Sequence, residues 1–430
     1  MTDFNIKRIA KTLKRRLYKL YNKLFIYMPA AALIFLRSLL LTFVTLFRIL
    51  LRQPSNRNRN PNQNSNSNPN LNTKRIIIFR QDGIGDYILF RNFLEILKKT
   101  PAFSDYKITL LGNAAWKDLA EFLDKEFVDE FIWLDKKRIT TDFFYRYKKF
   151  KEITSVKYDI LIHPFGREFF NADNDLAYLI KADKKIGSIR SSRFLKPYRR
   201  IILEKIYDIL IPDAEGLRFE FYKNRNFFEK MTGREIKLEK PFINLDFTDK
   251  ARPPYAAFFI GASVKHRKWS AKNFAEVASY LKNKHGYETV LCGGKDELND
   301  TSEFKKYFPF PFTDTVGKIS LIELLSVIKG ASLVVSNETM APHIAMALAK
   351  SAVIVISTGG PPYGLFVPYP AGIAGSNNYA AVFHPEIEKN IDDYIKTTKR
   401  TGHGYDDKFD IAEITVESVI QKIEKLLKKK

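Results

Sequence analysis

Short runs of large apolar residues recur along most of the chain. Each run ends at glycine or a small polar residue and leads into a segment with helical spacing. Arg75-Ile-Ile-Ile-Phe-Arg80 is the first. A continuous apolar run of that length fits a strand buried on both faces, as in a parallel sheet. Gln81-Asp-Gly-Ile-Gly-Asp86 follows, and 87–99 carries Ile88, Phe93, Leu94 and Leu97 at helical intervals. Residues 107–111, 130–134 and 158–163 are further strand candidates, with helical stretches between them. Near residue 250, Ala251-Arg-Pro-Pro254 breaks the chain and the pattern restarts. Strands are predicted at 255–260, 288–291, 332–335 and 352–356, and helices at 271–284, 320–329, 341–348 and 415–428. Alternating strand and helix implies α/β architecture: two Rossmann-like, doubly wound halves with a cleft between them.

The first 73 residues have a different texture. Residues 7–23 hold eight basic residues and no acid, spaced among Ile6, Ile9, Leu13, Leu17 and Leu20 as in a basic amphipathic helix. Residues 30–47 are apolar at 14 of 18 positions and interrupted by Arg37, near the length of a membrane span. A secretory signal fits poorly, because the basic region is long and no small-x-small cleavage pattern follows. Residues 53–73 are asparagine-rich with almost no large apolar side chain, which reads as a flexible linker. The expected organisation is therefore a membrane-associating helical segment (1–52), a disordered linker (53–73), an N-terminal Rossmann-like domain (74–250), a C-terminal Rossmann-like domain (251–385) and a tail with a closing helix (386–430). A buried helical hairpin is the alternative for the first segment. If 30–47 spanned a membrane, its basic flank would hold the N-terminus inside and put the body outside, away from cytosolic nucleotides. A helix lying in the inner leaflet, with the body in the cytoplasm, is the expectation.

Charge supports an anionic partner. The 430 residues carry 71 Lys and Arg against 48 Asp and Glu, a net +23. Residues 1–73 contribute 13 basic residues against Asp3 alone, so 13 − 1 = +12 sits in a sixth of the chain. Nucleic acid is the obvious rival for such a charge, but no RNP-like or zinc-finger pattern is present. The single cysteine, Cys292, excludes a disulfide framework, a Cys-based zinc site and an Fe–S cluster. Neither a metal nor a bound cofactor is expected.

Four strand-end turns carry candidate chemistry. In Gly83-Ile-Gly85-Asp86 a carboxylate stands at the start of a helix, where it either caps the helix or acts as a base at the cleft. Gly261-Ala-Ser263-Val-Lys265-His-Arg267-Lys268-Trp269 puts cations on a small-residue turn, a setting for phosphate. Trp269 reads as packing. Gly293-Gly294-Lys-Asp-Glu297 lets backbone approach a ligand, with Glu297 able to accept from ribose or base. Ser336-Asn-Glu338-Thr339-Met340-Ala-Pro-His343 opens a helix whose N–H groups, with Thr339 and His343, can hold an anion. Together they describe a cleft for a nucleoside diphosphate. Arg190, Arg193 and Lys196 belong to a run of five cations in 190–200, suited to an anionic acceptor or a bilayer surface.

In this order and spacing the motifs resemble the bacterial heptosyltransferases, glycosyltransferase family nine, over roughly 74–372. The strand and Gly-Asp turn ending at Asp86, Tyr158-Asp-Ile-Leu-Ile-His163, Lys185-Ile-Gly187, the basic-Trp turn, Gly293-Gly-x-x-Glu297, Gly317-Lys-x-Ser-Leu321 and Asn337-x-Thr-x-x-His343-x-Ala345 carry the resemblance. It implies a GT-B fold and an inverting, metal-independent transfer from an ADP-linked heptose. A lipid-linked saccharide such as lipopolysaccharide inner core is the implied acceptor. It further implies that Asp86 is the base, that Gly85 belongs to the acceptor turn, and that Glu297 holds the nucleoside. The basic turn and the helix near Ala341 would neutralise the departing diphosphate. Three features depart from the family pattern: Glu338-Thr339-Met340 stands where Asp-Thr/Ser-Gly is usual, Arg267 stands at the usual lysine, and the basic N-terminal segment is extra. The departure at Glu338 and Met340 leaves a second reading, an inactive relative serving as a membrane-bound sugar-binding or assembly module. A third is another GT-B reaction such as sugar-nucleotide epimerisation.

Overall fold

The computed structural model describes residues 73–164, 172–189, 197–214, 216, 218–245, 253–349, 351–374, 378–401, 404–405 and 408–428. The basic helix, the apolar stretch and all of the asparagine-rich linker before residue 73 lie outside the described residues, as do Arg190, Arg193 and Lys196. Among the described residues no helix is long and apolar enough to cross a membrane.

Twelve strands form two sheets. β1 (Arg75–Arg80), β2 (Lys107–Asn113), β3 (Glu130–Leu134), β4 (Lys157–His163), β5 (Lys181–Ile189) and β6 (Ile209–Pro212) make the first, in the order β3-β2-β1-β4-β5-β6. β7 (Tyr255–Phe259), β8 (Glu288–Cys292), β9 (Thr313–Asp314), β10 (Leu333–Asn337), β11 (Ala352–Ser357) and β12 (Tyr379–Phe383) make the second, in the order β12-β11-β10-β7-β8-β9. Each described pairing is parallel. Counted from its own first strand, each sheet has the same order, 3-2-1-4-5-6, so the expected two doubly wound halves are present. In such sheets ligands bind beyond the carboxyl ends of the strands where the order reverses. Those points lie between β1 and β4 in the first lobe and between β7 and β10 in the second.

The central strands follow from their apolar runs. Ile76, Ile77, Ile78 and Phe79 are fully buried, with helices packed on both sheet faces. The helix expected over 87–99 is instead two helices, Ile84–Ile88 and Asn92–Lys99. Between them the N–H of Phe90 donates to the Tyr87 carbonyl (3.0 Å) and that of Phe93 to Phe90 (3.0 Å), a tightened 3-10 turn. Side-chain demands explain the break. Arg91 reaches Asp124 (2.6 Å) and the Phe242 carbonyl (2.9 Å), while Asn92 exchanges two hydrogen bonds with the Phe242 backbone, both at 3.1 Å.

The lobes share packing at their base. The helix Glu220–Thr232 lays Phe221, Phe227 and Phe228 into the first lobe, with Phe228 stacked on Phe93 at 5.2 Å. Its first residue donates its N–H to the Leu365 carbonyl of the second lobe (3.1 Å), and Phe219 meets Tyr369 edge-on at 4.8 Å. The closing helix Val416–Leu427 is capped by Thr415 and buries Val419, Ile423 and Leu426 in the second lobe.

Candidate active site

The first-lobe turn begins where β1 runs out. Asp82 directs its backbone carbonyl at the Nδ2 of Asn113 (2.9 Å) and the Nε1 of Trp116 (3.1 Å), which bolts the turn to the end of β2. Gly83 then caps the helix Ile84–Ile88, and its N–H donates to Oδ2 of Asp86 (3.2 Å). Asp86 is therefore a helix-start acceptor, half-buried at the reversal point of the first sheet. One N–H takes up only part of a carboxylate's acceptor capacity, so the capping bond and a proton-accepting role are compatible.

The second-lobe turns are tied together by Asn337, which the sequence shows only as the first residue of the Asn337-x-Thr-x-x-His343 motif and not as a site residue. Asn337, fully buried at the end of β10, donates Nδ2 to the carbonyls of Ile260 (3.0 Å) and Gly261 (3.1 Å) and accepts the N–H of Trp269 (3.1 Å). It spans the reversal point of the second sheet and fixes the basic turn against the helix Met340–Leu348. Its place as the last residue of a buried strand was the available signal. Trp269 is buried, with Nε1 donating to the Ile414 carbonyl (2.8 Å) and its ring edge-on to Phe274, so it packs the turn.

The cations of that turn are not equivalent. Ser263 and Lys265 are exposed. Lys268 is held in an ion pair with Asp300 at the start of the helix Leu298–Tyr307. Arg267 lies half-buried with Nη1 4.0 Å from Oε1 of Glu338, and the other carboxylate oxygen of Glu338 accepts from Ser357 (2.7 Å). Thr339 caps the helix Met340–Leu348, its Oγ1 accepting the N–H of Ala341 (3.3 Å), and Met340, half-buried, begins the helix and packs on the interlobe core. Glu297 folds back so that Oε2 accepts the N–H of Gly294 (2.7 Å). A methyl group on Gly261 would meet the Glu297 carboxyl carbon at 2.6 Å, and one on Gly293 its Cβ at 3.2 Å. The two glycine turns and Glu297 thus form one packed unit.

Across the cleft the two lobes also meet at Gly85. A Cβ on Gly85 would stand 2.6 Å from Cδ2 of His343. The Asp86 turn of the first lobe therefore abuts the first turn of the helix Met340–Leu348. His343 is buried, shares a 2.6 Å hydrogen bond between Nδ1 and the Tyr369 hydroxyl, and lies against Phe366 and Tyr369. It is an interlobe packing residue, and Tyr369 joins the site as its partner. Gly85→Ala is expected to cost about 1–3 kcal/mol by overpacking and to lower transfer, with His343→Ala in the same chain recovering stability. Urea unfolding of the two variants checks this, and a Gly85→Ala protein as stable as wild type would refute the close approach.

Burial pushes the His343 imidazole down to about 4 from its ordinary 6.5. His163, stacked on Phe79 with Nδ1 2.5 Å from the Tyr207 hydroxyl, is pushed down to about 3 by burial and then by the Arg80 charge. Below pH 6.5 the unfolded chain takes up protons that the folded chain refuses. Stability is thus complete above about 6.5 and falls as pH drops toward 4. For His343 alone the loss is about 3 kcal/mol at 1.36 kcal/mol per pKa unit. Urea midpoints at pH 7 and pH 4.5 should differ accordingly, and His343→Gln should flatten the dependence.

Among the described residues no group of three or more His, Cys, Asp or Glu side chains gathers to hold a metal ion. Two Rossmann-like lobes whose strand-end turns meet across the crevice constitute a GT-B glycosyltransferase architecture. Residues 146–357 match the model of glycosyltransferase family 9 (heptosyltransferase). Residues 146–357 thus form a glycosyltransferase family 9 domain, and the chain is a glycosyltransferase. The matched stretch includes the second-lobe turns up to β11 and begins after Asp86. Solved structures share the fold. A family 9 glycosyl transferase from Veillonella parvula is 20% identical, with 83% of this chain and 98% of that one covered and a TM-score of 0.63. The E. coli heptosyltransferase WaaC with ADP-2-deoxy-2-fluoro heptose is 17% identical over 81% and 99% of the two chains, with a TM-score of 0.59. E. coli ADP-heptose lps heptosyltransferase II is 15% identical over 83% and 99%, with a TM-score of 0.58. No curated protein is similar enough in sequence to count as a match.

Proposed function

We propose that this chain transfers a heptose from ADP-heptose, with inversion and without a metal, to an anionic lipid-linked saccharide such as lipopolysaccharide inner core. Asp86 takes the proton of the acceptor hydroxyl, whose oxygen attacks the anomeric carbon as the bond to the diphosphate breaks. The leaving diphosphate is stabilised by Arg267, Lys265 and the N–H groups opening the helix Met340–Leu348. Fixed cations and N–H dipoles aimed at developing charge commonly do more for a reaction rate than any other single effect. Ser263, Lys268 and Thr339 complete that wall, Gly293, Gly294 and Glu297 receive the nucleoside, and Met340 and His343 shape its floor. Arg190, Arg193 and Lys196 would meet the acceptor's negative charge. The observation that carries this reading is the approach of Gly85 to His343, which sets the Asp86 turn beside the diphosphate turns. The solved complex of WaaC with an ADP-linked fluoro-heptose supports the donor class. A cytoplasmic location on the inner face of the membrane belongs to the same reading.

Glu338 favours one competing reading. A carboxylate 4.0 Å from Arg267 competes with a phosphate for that guanidinium, as in an inactive relative that no longer holds a nucleotide and serves as a sugar-binding or assembly module. A thermal-shift screen of ADP-, UDP- and GDP-linked sugars against the full chain separates the cases. Stabilisation by an ADP-sugar, with transfer to a lipid-linked acceptor, is expected; no nucleotide binding at all would leave the binding-module reading.

A further inference from the structure

The first lobe carries a surface that the transfer chemistry does not use. The crossover from β3 to β4 is a helical pair, Lys136–Thr141 and Phe143–Ser155. Residues 136–151 contain seven Lys and Arg and one acid, Asp142, a net +6. The inner side of the longer helix is apolar: Ile153 is buried in the lobe's core, and Tyr145 and Phe150 pack against it. Its outer stripe runs Phe144, Lys148, Lys151, at i, i+4 and i+7, all exposed. Phe144 is 82% exposed, the highest value among the described large apolar residues. Lys136 and Lys137 are exposed on the adjoining short helix. Some of the charge is neutralised nearby, since Arg138 pairs with Asp142 (3.2 Å) and Lys149 with Glu152 (3.1 Å). Lys148 and Lys151 make no ion pair among the described residues.

We propose that this helical pair docks the catalytic body on an anionic bilayer, with the Phe144 ring entering the headgroup region and Lys136, Lys137, Lys148 and Lys151 lying against lipid phosphates. A phenyl ring projecting from a convex, lysine-flanked helix start is what an interfacial helix uses: apolar area enters the membrane and cations meet the headgroups. A nucleic acid would take the lysines but has no use for a protruding aromatic in the absence of a stacking groove. Location gives the surface a purpose. The pair starts at the carboxyl end of β3, two strands and about 10 Å across the sheet from the end of β1, where Asp86 stands. Phe144, in the first turn of its helix, lies at the same edge of the sheet as the candidate base. Docking there presents that edge to a membrane-borne acceptor. The inference extends the proposed lipid-linked acceptor, but its test reads docking and not transfer, so either can fail alone.

The test exploits the single native cysteine. Cys292 is buried, and burial pushes its thiol up to about 12, so it resists labelling. In the full chain, Thr141→Cys labelled with an environment-sensitive dye reports on this face and leaves the N-terminal segment in place. With vesicles of phosphatidylglycerol and brominated phosphatidylcholine, the emission is expected to shift to the blue and be quenched. With vesicles of brominated phosphatidylcholine alone it is not. Adding Phe144→Ser should abolish the quenching. Each of Lys148→Ala and Lys151→Ala should weaken docking roughly fivefold, and added salt should weaken it further. A dye that stays water-exposed while the protein sediments with anionic vesicles would overturn the proposal, because attachment would then run through other residues. Equal response to duplex DNA and to anionic vesicles would overturn it too.

Discussion

Asp86→Asn is expected to lower kcat by about three to four orders of magnitude, the upper part of the range for loss of a general base, while the affinity for the sugar nucleotide changes little. Asparagine is the informative choice because Asp86 has two possible tasks. Its Oδ2 accepts the N–H of Gly83 and closes the start of the helix Ile84–Ile88. An asparagine oxygen can accept the same N–H, so the cap survives; it cannot take a proton from an acceptor hydroxyl at neutral pH, so the base does not. Asp86→Ala removes both and should add a stability loss of about 1 kcal/mol for the lost cap. Initial rates with a lipid-linked acceptor, beside calorimetry of donor binding and urea unfolding, separate the two contributions. An Asp86→Asn enzyme with wild-type turnover would reduce Asp86 to a capping residue.

The framework of this site is legible in the sequence because it rests on local rules. A run such as Arg75–Arg80 reads as a strand buried on both faces, as in a parallel sheet, and the glycines that follow mark the turn at its carboxyl end. β5 is harder to read. Lys181, Asp183, Lys184 and Lys185 give Lys181–Ile189 the look of a solvated loop, yet Ile186, Gly187 and Ile189 are buried or half-buried and pair with β6. Gly187 is required there because a Cβ would collide with the Tyr207 ring at 2.7 Å, a contact set by tertiary packing. Gly85 is a similar case. It reads as a turn glycine, but it sits within a helix, outside the positive-φ glycines, and what demands it is the His343 ring from 258 positions later. The cations divide for the same reason. Sequence offers Lys265, Arg267 and Lys268 as neighbours of equal standing. Asp300 and Glu338, brought in from other strand ends, leave Lys265 the most exposed of the three.

Beneath the candidate base lies the residue whose removal should cost the fold most. Arg80, the last residue of β1, is fully buried. Its Nε lies 2.5 Å from Asp82 and its Nη2 3.1 Å from Glu220, while Nη1 donates to the Asn224 side chain (2.8 Å) and the Pro164 carbonyl (3.2 Å). The guanidinium also stands 4.9 Å from the centre of the Phe90 ring. Burial works against its charge, but Asp82, Glu220 and Asp86 together outweigh burial and raise its pKa above the ordinary arginine value. Arg80→Met would keep the stem's volume and leave Asp82 and Glu220 as buried acids without their cation. Breaking a buried pair in this way costs about 3–5 kcal/mol. Glu220 also opens the helix whose N–H reaches Leu365, so the loss should spread to the joint between the lobes. Urea unfolding at pH 7 should show the full loss. Neutralising both acids as well, in Arg80→Met with Asp82→Asn and Glu220→Gln, should recover much of it, because the cost lies in stranded charge more than in a missing contact. An Arg80→Met protein within 0.5 kcal/mol of wild type, a threshold about the size of an ordinary surface substitution, would mean that water reaches the cluster and that Arg80 does not hold the floor under Asp86.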